Sequence, residues 1–212
     1  MPFTTLFIDL DDTLYPESSG LWPAIRARIS GFMVERLGIA PADADGLRRR
    51  YFETYGTTLR GLEMNYVFDR QDFLAYVHNV DLRAYIGPDP ALRTALNAVP
   101  LRKFIFTNAD VHHADRVTTV LEVKDCFDGV IDTNVLFPHC KPQLEAFQRA
   151  LEVSGQPDPA RCILIDDLSR TVLAARQFGM RGILFGVGKS GQDADAVFGD
   201  WSRLGEILRG LE

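Results

Sequence analysis

The sequence has no excess of positive charge and no long run of basic residues. Its 212 residues include 23 lysines and arginines against 29 aspartates and glutamates, which gives a formal net charge of −6 at pH 7. Nucleic acids and anionic membranes are bound through locally concentrated basic side chains. The composition therefore argues against a nucleic-acid polymer or a membrane as the main partner, and any anionic substrate must meet positive charge concentrated at one site.

Cysteines and long hydrophobic runs are also scarce. The three cysteines, Cys126, Cys140 and Cys162, lie far apart and without metal-ligand spacing, which predicts small buried thiols in a reducing compartment. No segment approaches the roughly 18 consecutive apolar residues of a membrane span, and the N-terminal residues do not have the pattern of a signal peptide. These absences predict a soluble, cytoplasmic protein.

Short apolar runs rich in β-branched and aromatic residues alternate with helical patterns along most of the chain. This alternation predicts an α/β fold with a doubly wound parallel sheet of the Rossmann type. The predicted strands are 5–9, 103–107, 162–166 and 182–185, with a weaker candidate at 129–132. The predicted helices between and after them are 110–122, 144–153, 168–178 and 201–211.

The interval between the first two predicted strands breaks this alternation. It is far longer than the roughly dozen residues that a simple crossover needs, and its apolar residues recur at helical spacing throughout. We therefore predict an inserted helical cap at 18–87 and an α/β core formed by 1–17 and 88–212. A Gly-Pro-Asp-Pro stretch at 87–90 leads the chain back to the core.

Acidic side chains follow two of the predicted strands. Asp9 and Asp11 come after the first strand, and Asp166 and Asp167 end a later one. Open α/β sheets bind their ligands at the carboxyl ends of parallel strands. Carboxylates crowded there repel one another, and Mg²⁺, which prefers hard oxygen ligands, relieves that repulsion. Aspartates also cap helices and stabilise turns, but two clusters that each abut an apolar strand favour a shared magnesium site.

Three further side chains supply hydrogen-bond donors for an anion. Thr107 and Asn108 follow the second predicted strand, and their hydroxyl and amide groups can bind phosphate oxygens. Lys141 precedes Pro142 near the start of a predicted helix, where an ammonium group joins exposed backbone N–H groups in attracting an anion. The combination predicts a phosphate site at the same edge of the sheet.

The order of these groups along the chain resembles the four motifs of the haloacid dehalogenase (HAD) superfamily, in its helical-cap class. The matching residues are Asp9, Asp11 and Thr13, then Thr107, then Lys141, and finally Asp166 and Asp167. A narrower resemblance, to the pyrimidine 5′-nucleotidase branch, is carried by the stretches 9–16, 55–62 and 106–110 together with His113. Thr171 stands where that branch is expected to have Asn, which alters the surroundings of the metal site.

The resemblance implies a Mg²⁺-dependent phosphatase with a covalent intermediate. Asp9 would be the nucleophile that forms an aspartyl-phosphate, and Asp11 would be the general acid and base. The protein ligands of the metal would be Asp9, the backbone carbonyl of Asp11, and Asp166. Asp167 would either approach the metal through water or orient Lys141.

The resemblance also implies how the substrate is bound and what it is. Thr107, Asn108 and Lys141 would bind the oxygens of the transferring phosphoryl group. The substrate would be a small phosphate monoester, with nucleoside 5′-monophosphates, above all UMP and CMP, as the first choice. Sugar phosphates and phosphorylated vitamins remain open as substrates. The sequence has no signal for the oligomeric state.

Three other functions are compatible with parts of this motif pattern. A phosphomutase would return the phosphoryl group to a sugar instead of to water. A 2-haloacid dehalogenase would use Asp9 in the same way but would leave Asp11 and the Asp166–Asp167 pair without a task. A non-enzymatic receiver-like domain would lack both the paired aspartates after the first strand and the long helical insertion.

Overall fold

A parallel six-stranded sheet lies at the centre of the fold in the computed structural model, which describes residues 2–211. Across the sheet the strands follow the order β3-β2-β1-β4-β5-β6, and every neighbouring pair is parallel. The strands are β1 (Thr5–Ile8), β2 (Arg102–Phe106), β3 (Gly129–Ile131), β4 (Cys162–Asp166), β5 (Arg181–Phe185) and β6 (Ala196–Phe198). This arrangement confirms the predicted doubly wound parallel sheet.

The sheet changes its winding direction at β1. The chain adds β2 and β3 on one side of β1, and then returns to add β4, β5 and β6 on the other side. At such a reversal the connections on the two sides of the sheet diverge and leave a crevice at the carboxyl ends of the strands, where ligands bind. The first and fourth strands therefore deliver the residues that follow them to the position most suited to a site.

The central strands are apolar on both faces because helices cover both sides of the sheet. All four residues of β1 and all five of β4 are buried. On one face, Phe7, Phe106 and Phe147 form a buried aromatic cluster, with the Phe106 and Phe147 rings 5.4 Å apart in an edge-to-face arrangement. This packing holds the ends of the central strands rigidly.

The helices number ten in residues 2–211, and the ends of the sixth and ninth illustrate local capping rules. Asp110 caps the sixth helix by accepting a hydrogen bond of 2.8 Å from His113 N, and Gly179, with φ of 96°, lies just beyond the ninth. The helices are α1 (Leu21–Glu35), α2 (Pro41–Tyr55), α3 (Thr58–Asn65), α4 (Arg70–His78), α5 (Pro90–Asn97), α6 (Val111–Val120), α7 (Thr133–Leu136), α8 (Leu144–Val153), α9 (Ser169–Gln177) and α10 (Leu204–Gly210).

Two elements near the C-terminus differ from the sequence prediction. β6 was not predicted, because a three-residue strand is too short to display a clear alternation of apolar and polar residues. The last helix is shorter than 201–211, since the residues Trp201–Arg203 form a 3₁₀ turn before α10 begins at Leu204. Helix ends often tighten in this way, so propensity alone does not locate them.

The chain divides into two compact units. One contains the chain up to Glu17 and from Ile86 onward, and the other is Ser18–Tyr85 with helices α1 to α4. In the helical unit, Phe32 is packed edge-to-face against Phe73 at 5.1 Å. A Cβ at Gly61 would lie 2.4 Å from Tyr51, so only glycine lets α3 approach α2 this closely.

No helix among residues 2–211 combines the length and apolar character that a membrane crossing requires.

Candidate active site

The ends of β1 and β4 bring two aspartates side by side. Ile8 is in register with Ile165, and Asp9 continues the pairing by donating its backbone N–H to Ile165 O at 2.9 Å. Asp166 is the last residue of β4 and is 1% exposed. Two carboxylates from segments far apart in the sequence are therefore adjacent at the carboxyl ends of the two central strands.

Lys141 lies between these two carboxylates. Its Nζ is 2.7 Å from Asp9 Oδ1 and 2.7 Å from Asp166 Oδ2, and its side chain is 4% exposed. Burial opposes the ammonium charge, but the carboxylates of Asp166 and Asp9 outweigh it and raise the pKa of Lys141 above its usual range. Lys141 therefore stays charged inside the site, as a cation that binds an anion must.

Asn108 fixes the backbone of Lys141. Its Oδ1 accepts a hydrogen bond of 2.9 Å from Lys141 N, and its Nδ2 donates one of 3.1 Å to Lys141 O. Lys141 itself lies in a loop, because α8 begins only at Leu144. The position of the ammonium thus depends on this side-chain clamp, which the sequence did not reveal, rather than on the start of a helix.

Thr107 is also at the site edge, next to Asn108. It follows β2, is 1% exposed, and accepts a hydrogen bond of 3.0 Å at Oγ1 from Ala109 N. A hydroxyl that accepts in this way still carries a hydrogen that it can donate. Thr107 is therefore oriented by its own loop while it retains donor capacity.

Asp167 completes a cluster of three carboxylates. Oxygen atoms of Asp9, Asp166 and Asp167 all lie within 4.8 Å of one another. Burial, with the charge of Asp166 added and that of Lys141 opposing, raises the pKa of Asp9 to about 7. Burial and the charges of Asp166 and Asp9 raise the pKa of Asp167 to about 8. The three carboxyls therefore resist ionising together beside Lys141, and their hard oxygen donors fit Mg²⁺, whose charge would favour the ionised forms.

Lys189 is a second cation near the cluster, and the sequence analysis missed it. Its Nζ donates a hydrogen bond of 2.5 Å to Asp167 O and lies 3.8 Å from Asp167 Oδ2. It belongs to the loop after β5, where Gly186 and Gly188 both have positive φ. A lysine in a glycine-rich turn after another strand of the sheet was the signal that could have identified it.

Asp11 is held by two buried side chains. Tyr15 OH donates a hydrogen bond of 2.5 Å to Asp11 Oδ1, and His113 Nε2 lies 2.9 Å from the same oxygen. Burial and the nearby charge of Asp11 raise the pKa of Tyr15 well above its usual range, so the phenol keeps its proton. The contact of His113 with Asp11 was not evident from the sequence, because the two residues are distant along the chain.

The loop after β1 is closed by its own hydrogen bonds. Leu14 N donates to Leu10 O at 3.0 Å, and Asp12 takes a left-handed conformation with φ of 55°. Thr13 Oγ1 donates to Asp9 Oδ2 at 3.3 Å, while Trp201 Nε1 donates to Thr13 O at 3.1 Å. The turn therefore presents Asp9 and Asp11 from a backbone that is anchored on both sides.

The Asp167 carboxyl leads to a prediction about stability without metal. The pKa of Asp167 is about 8 in the folded protein against an ordinary value of 3.8. Between these two pH values the unfolded chain loses the proton while the folded chain keeps it, so the folded state loses stability as the pH rises. Asp167→Asn removes this penalty, and we expect the metal-free variant to be more stable than the wild type by about 2 kcal/mol or more at pH 8.

Urea unfolding in EDTA at pH 4, 6 and 8 measures this difference. The advantage of Asp167→Asn should shrink toward pH 4, where the carboxyl is protonated in the folded chain and close to half protonated in the unfolded chain. An exposed aspartate in the first turn of α2 provides the control variant, Asp43→Asn, which should show no such trend. A stability difference that stays constant from pH 4 to pH 8 would contradict the raised pKa of Asp167.

The chain matches the model of a known protein family and is similar to curated proteins. A family model described as a haloacid dehalogenase-like hydrolase matches residues 3–179. The chain is 30% identical over 194 residues to Phosphate metabolism protein 8 of Saccharomyces cerevisiae, which covers 84% of this chain and 60% of that protein. It is 30% identical over 141 residues to Phosphatase MT3486 of Mycobacterium tuberculosis, which covers 66% of this chain and 61% of that protein. The chain thus spans about 60% of the length of these curated relatives.

Solved structures share the fold. L-2-haloacid dehalogenase from Xanthobacter autotrophicus is similar with a TM-score of 0.66 and 15% identity, over 99% of this chain and 100% of that one. At this identity the likeness supports the architecture alone. The family model, in contrast, extends over Asp9, Lys141 and Asp166, which the fold brings together. The superfamily resemblance of the sequence is thereby confirmed, and the chain belongs to the haloacid dehalogenase-like hydrolase family.

Proposed function

We propose that this chain is a Mg²⁺-dependent phosphatase that hydrolyses small phosphate monoesters through an aspartyl-phosphate on Asp9. The observation that carries the proposal is the presence of two separately held carboxylates on one loop. Asp9 is paired with Lys141 at 2.7 Å, and Asp11 is bound by Tyr15 at 2.5 Å. In this proposal one carboxylate attacks phosphorus and the other moves protons, and the names of both curated relatives agree with phosphate chemistry.

The second carboxylate separates this proposal from dehalogenation. A halide leaves carbon as a stable anion and needs no proton donor, whereas the oxygen of an alkyl phosphate ester leaves as a strongly basic alkoxide. A dehalogenase would also have no use for the extra negative charge of Asp166 and Asp167. Asp11 with its two buried partners, and the cluster of three carboxylates, therefore favour the phosphatase.

In the first step Asp9 attacks the phosphorus atom of the ester. A bond forms between an Asp9 carboxylate oxygen and phosphorus, and the bond from phosphorus to the ester oxygen breaks with its electron pair staying on that oxygen. The protonated Asp11 gives its proton to the leaving oxygen, which departs as an alcohol. Lys141 and the hydroxyl of Thr107 bind phosphoryl oxygens, and the second amide hydrogen of Asn108 is available for the same purpose.

In the second step water releases the phosphate. The Asp11 carboxylate takes a proton from water as the water oxygen attacks phosphorus. The bond between phosphorus and Asp9 breaks, and its electron pair returns to the Asp9 carboxylate. Inorganic phosphate leaves, and Asp11 is again protonated for the next ester.

The metal would be held by carboxylate oxygens of Asp9 and Asp166 together with the backbone carbonyl of Asp11. Asp167 would either approach the metal through water or orient Lys141. When bound, Mg²⁺ supplies the positive charge that stabilises the phosphoryl group in the transition state. Crowding of three carboxylate oxygens within 4.8 Å supports this assignment, because their mutual repulsion favours a bound cation.

For the substrate we propose a nucleoside 5′-monophosphate, with UMP and CMP first. The support is the resemblance of the stretches 9–16, 55–62 and 106–110 to the pyrimidine 5′-nucleotidase branch.

We further propose that the helical unit Ser18–Tyr85 is the cap of the helical-cap class. A cytoplasmic location is supported by Cys126, Cys140 and Cys162, which are all buried thiols rather than disulfides, as predicted.

A panel of esters tests the proposed function. Phosphate release from UMP, CMP, AMP, a sugar phosphate and a phosphorylated vitamin is measured with Mg²⁺, and halide release from 2-chloropropionate is measured in parallel. We expect phosphate release without added bisphosphate activator, fastest with UMP or CMP, and no halide release. Halide release without phosphate release would indicate a dehalogenase instead of a phosphatase. A strict requirement for a bisphosphate would favour a phosphomutase.

A further inference from the structure

The Asp11 carboxylate receives two hydrogen bonds on a single oxygen. Tyr15 OH is 2.5 Å from Oδ1, and His113 Nε2 is 2.9 Å from the same atom. Because the acceptor is a carboxylate, the Nε2 of the ring carries the hydrogen of this bond. Both contacts therefore act on the group that the proposed function makes the general acid and base.

The two donors are far more buried than the carboxylate they hold. Tyr15 is 1% exposed, the His113 side chain is 0% exposed, and that of Asp11 is 15% exposed. A buried hydroxyl or ring N–H costs free energy unless it is bonded, so these contacts fix the direction in which Oδ1 points. The carboxylate is thus anchored from the protein interior through one oxygen.

Other contacts anchor the two donors themselves. His113 N donates to Asp110 Oδ1 at 2.8 Å in the first turn of α6, which is where the ring is attached. Tyr15 follows the turn that Leu14 N closes on Leu10 O, and Thr13 in that turn receives the Trp201 hydrogen bond. His113 is therefore attached to a helix, and Tyr15 directly follows a hydrogen-bonded turn.

We propose that Tyr15 and His113 are positioning residues that hold Asp11 for proton transfer to alkoxide leaving groups, and thereby raise the activity on alkyl phosphate esters relative to aryl phosphate esters. The inference rests on the proposed function. When Asp11 gives up its proton, negative charge develops on its carboxylate, and the two donors stabilise that charge where it appears. An aryl ester gains little from this, because a phenolate leaves without a proton.

Leaving-group dependence distinguishes this role from simple structural support. The ratio of kcat/KM for UMP, an alkyl ester, to kcat/KM for p-nitrophenyl phosphate, an aryl ester, is measured in the wild type and in Tyr15→Phe and His113→Leu. Each variant should lose roughly 100-fold in kcat/KM for UMP but about 3-fold or less for the aryl ester. If the ester panel ranks another alkyl ester first, that ester replaces UMP.

Two further variants complete the experiment. His113→Gln places an amide N–H near the position of the ring Nε2. This variant should therefore have a ratio of kcat/KM for UMP to kcat/KM for the aryl ester closer to that of the wild type than His113→Leu has. His112→Gln changes the exposed neighbour on the same helix and should leave the ratio unchanged. Thermal unfolding of each variant confirms that the fold is retained, and Tyr15→Phe keeps the whole ring that fills the core.

The outcomes separate the two proposals. A wild type that releases phosphate from neither ester contradicts the proposed function. A wild type that hydrolyses both esters, with variants that lose activity equally on both or on neither, overturns the positioning role and leaves the phosphatase intact. Loss confined to the alkyl ester supports it.

Discussion

Asp9→Asn is expected to abolish phosphate release while it leaves the fold intact. The amide has the shape of the carboxylate but is too weak a nucleophile to attack phosphorus, so we expect kcat to fall roughly 10⁴-fold or more. Hydrolysis of a phosphate monoester requires more than about 20 kcal/mol of transition-state stabilisation, and in the proposed mechanism the variant can no longer form the covalent intermediate. Phosphate release from UMP by the purified variant measures the loss.

The fold should survive because this substitution removes a group that is costly to bury. Burial raises the pKa of Asp9 to about 7, so an ionised carboxylate at this position is unfavourable without a compensating cation. The amide oxygen can still accept a hydrogen bond from Lys141, which also keeps its contact of 2.7 Å with Asp166. We therefore expect the circular dichroism spectrum and the unfolding temperature to stay close to those of the wild type.

The control for this experiment is the same chemical change away from the strand ends. Asp43→Asn alters an exposed aspartate in the first turn of α2 and should retain full activity. Near-normal hydrolysis by Asp9→Asn would remove Asp9 from its role as nucleophile. Loss of activity accompanied by unfolding would instead assign Asp9 to the stability of the core.

The convergence of Asp9 and Asp166 could be predicted from the sequence because it depends on local signals. Each aspartate follows an uninterrupted apolar strand, and parallel strands in one sheet align their carboxyl ends. The register of Ile8 with Ile165 is a consequence of that rule. The same reasoning placed Thr107 correctly at the end of β2.

The partners of these residues could not be predicted in the same way. Asn108 binds the backbone of Lys141, which is 33 positions away, and His113 reaches Asp11 across 102 positions. Such contacts depend on how loops and helices pack, and spacing along the chain carries no information about them. The contact of Lys189 with Asp167 likewise depends on the path of a glycine-rich turn.

Removal of metal should have an effect as large as the loss of the nucleophile. With EDTA in excess, Lys141 and Lys189 remain as cations beside the cluster of Asp9, Asp166 and Asp167, and Asp9 with a pKa of about 7 is partly protonated at neutral pH. A protonated carboxyl is no nucleophile. We expect activity to fall to background in EDTA and to return on addition of Mg²⁺. Full activity in excess EDTA would contradict a requirement for a metal ion.

A binding measurement without turnover provides the second test of the metal. Carboxyls must lose their protons to hold a cation, so Mg²⁺ should raise the unfolding temperature of metal-free protein more at pH 8 than at pH 5. At 100 times its dissociation constant, the ion adds about 2.7 kcal/mol, which corresponds to a shift of several degrees. Asp166→Asn should remove most of the shift and Asp43→Asn none of it. A shift of the same size at both pH values would mean that Mg²⁺ binds elsewhere than at the cluster that contains Asp9 and Asp167, whose raised pKa values require the pH dependence.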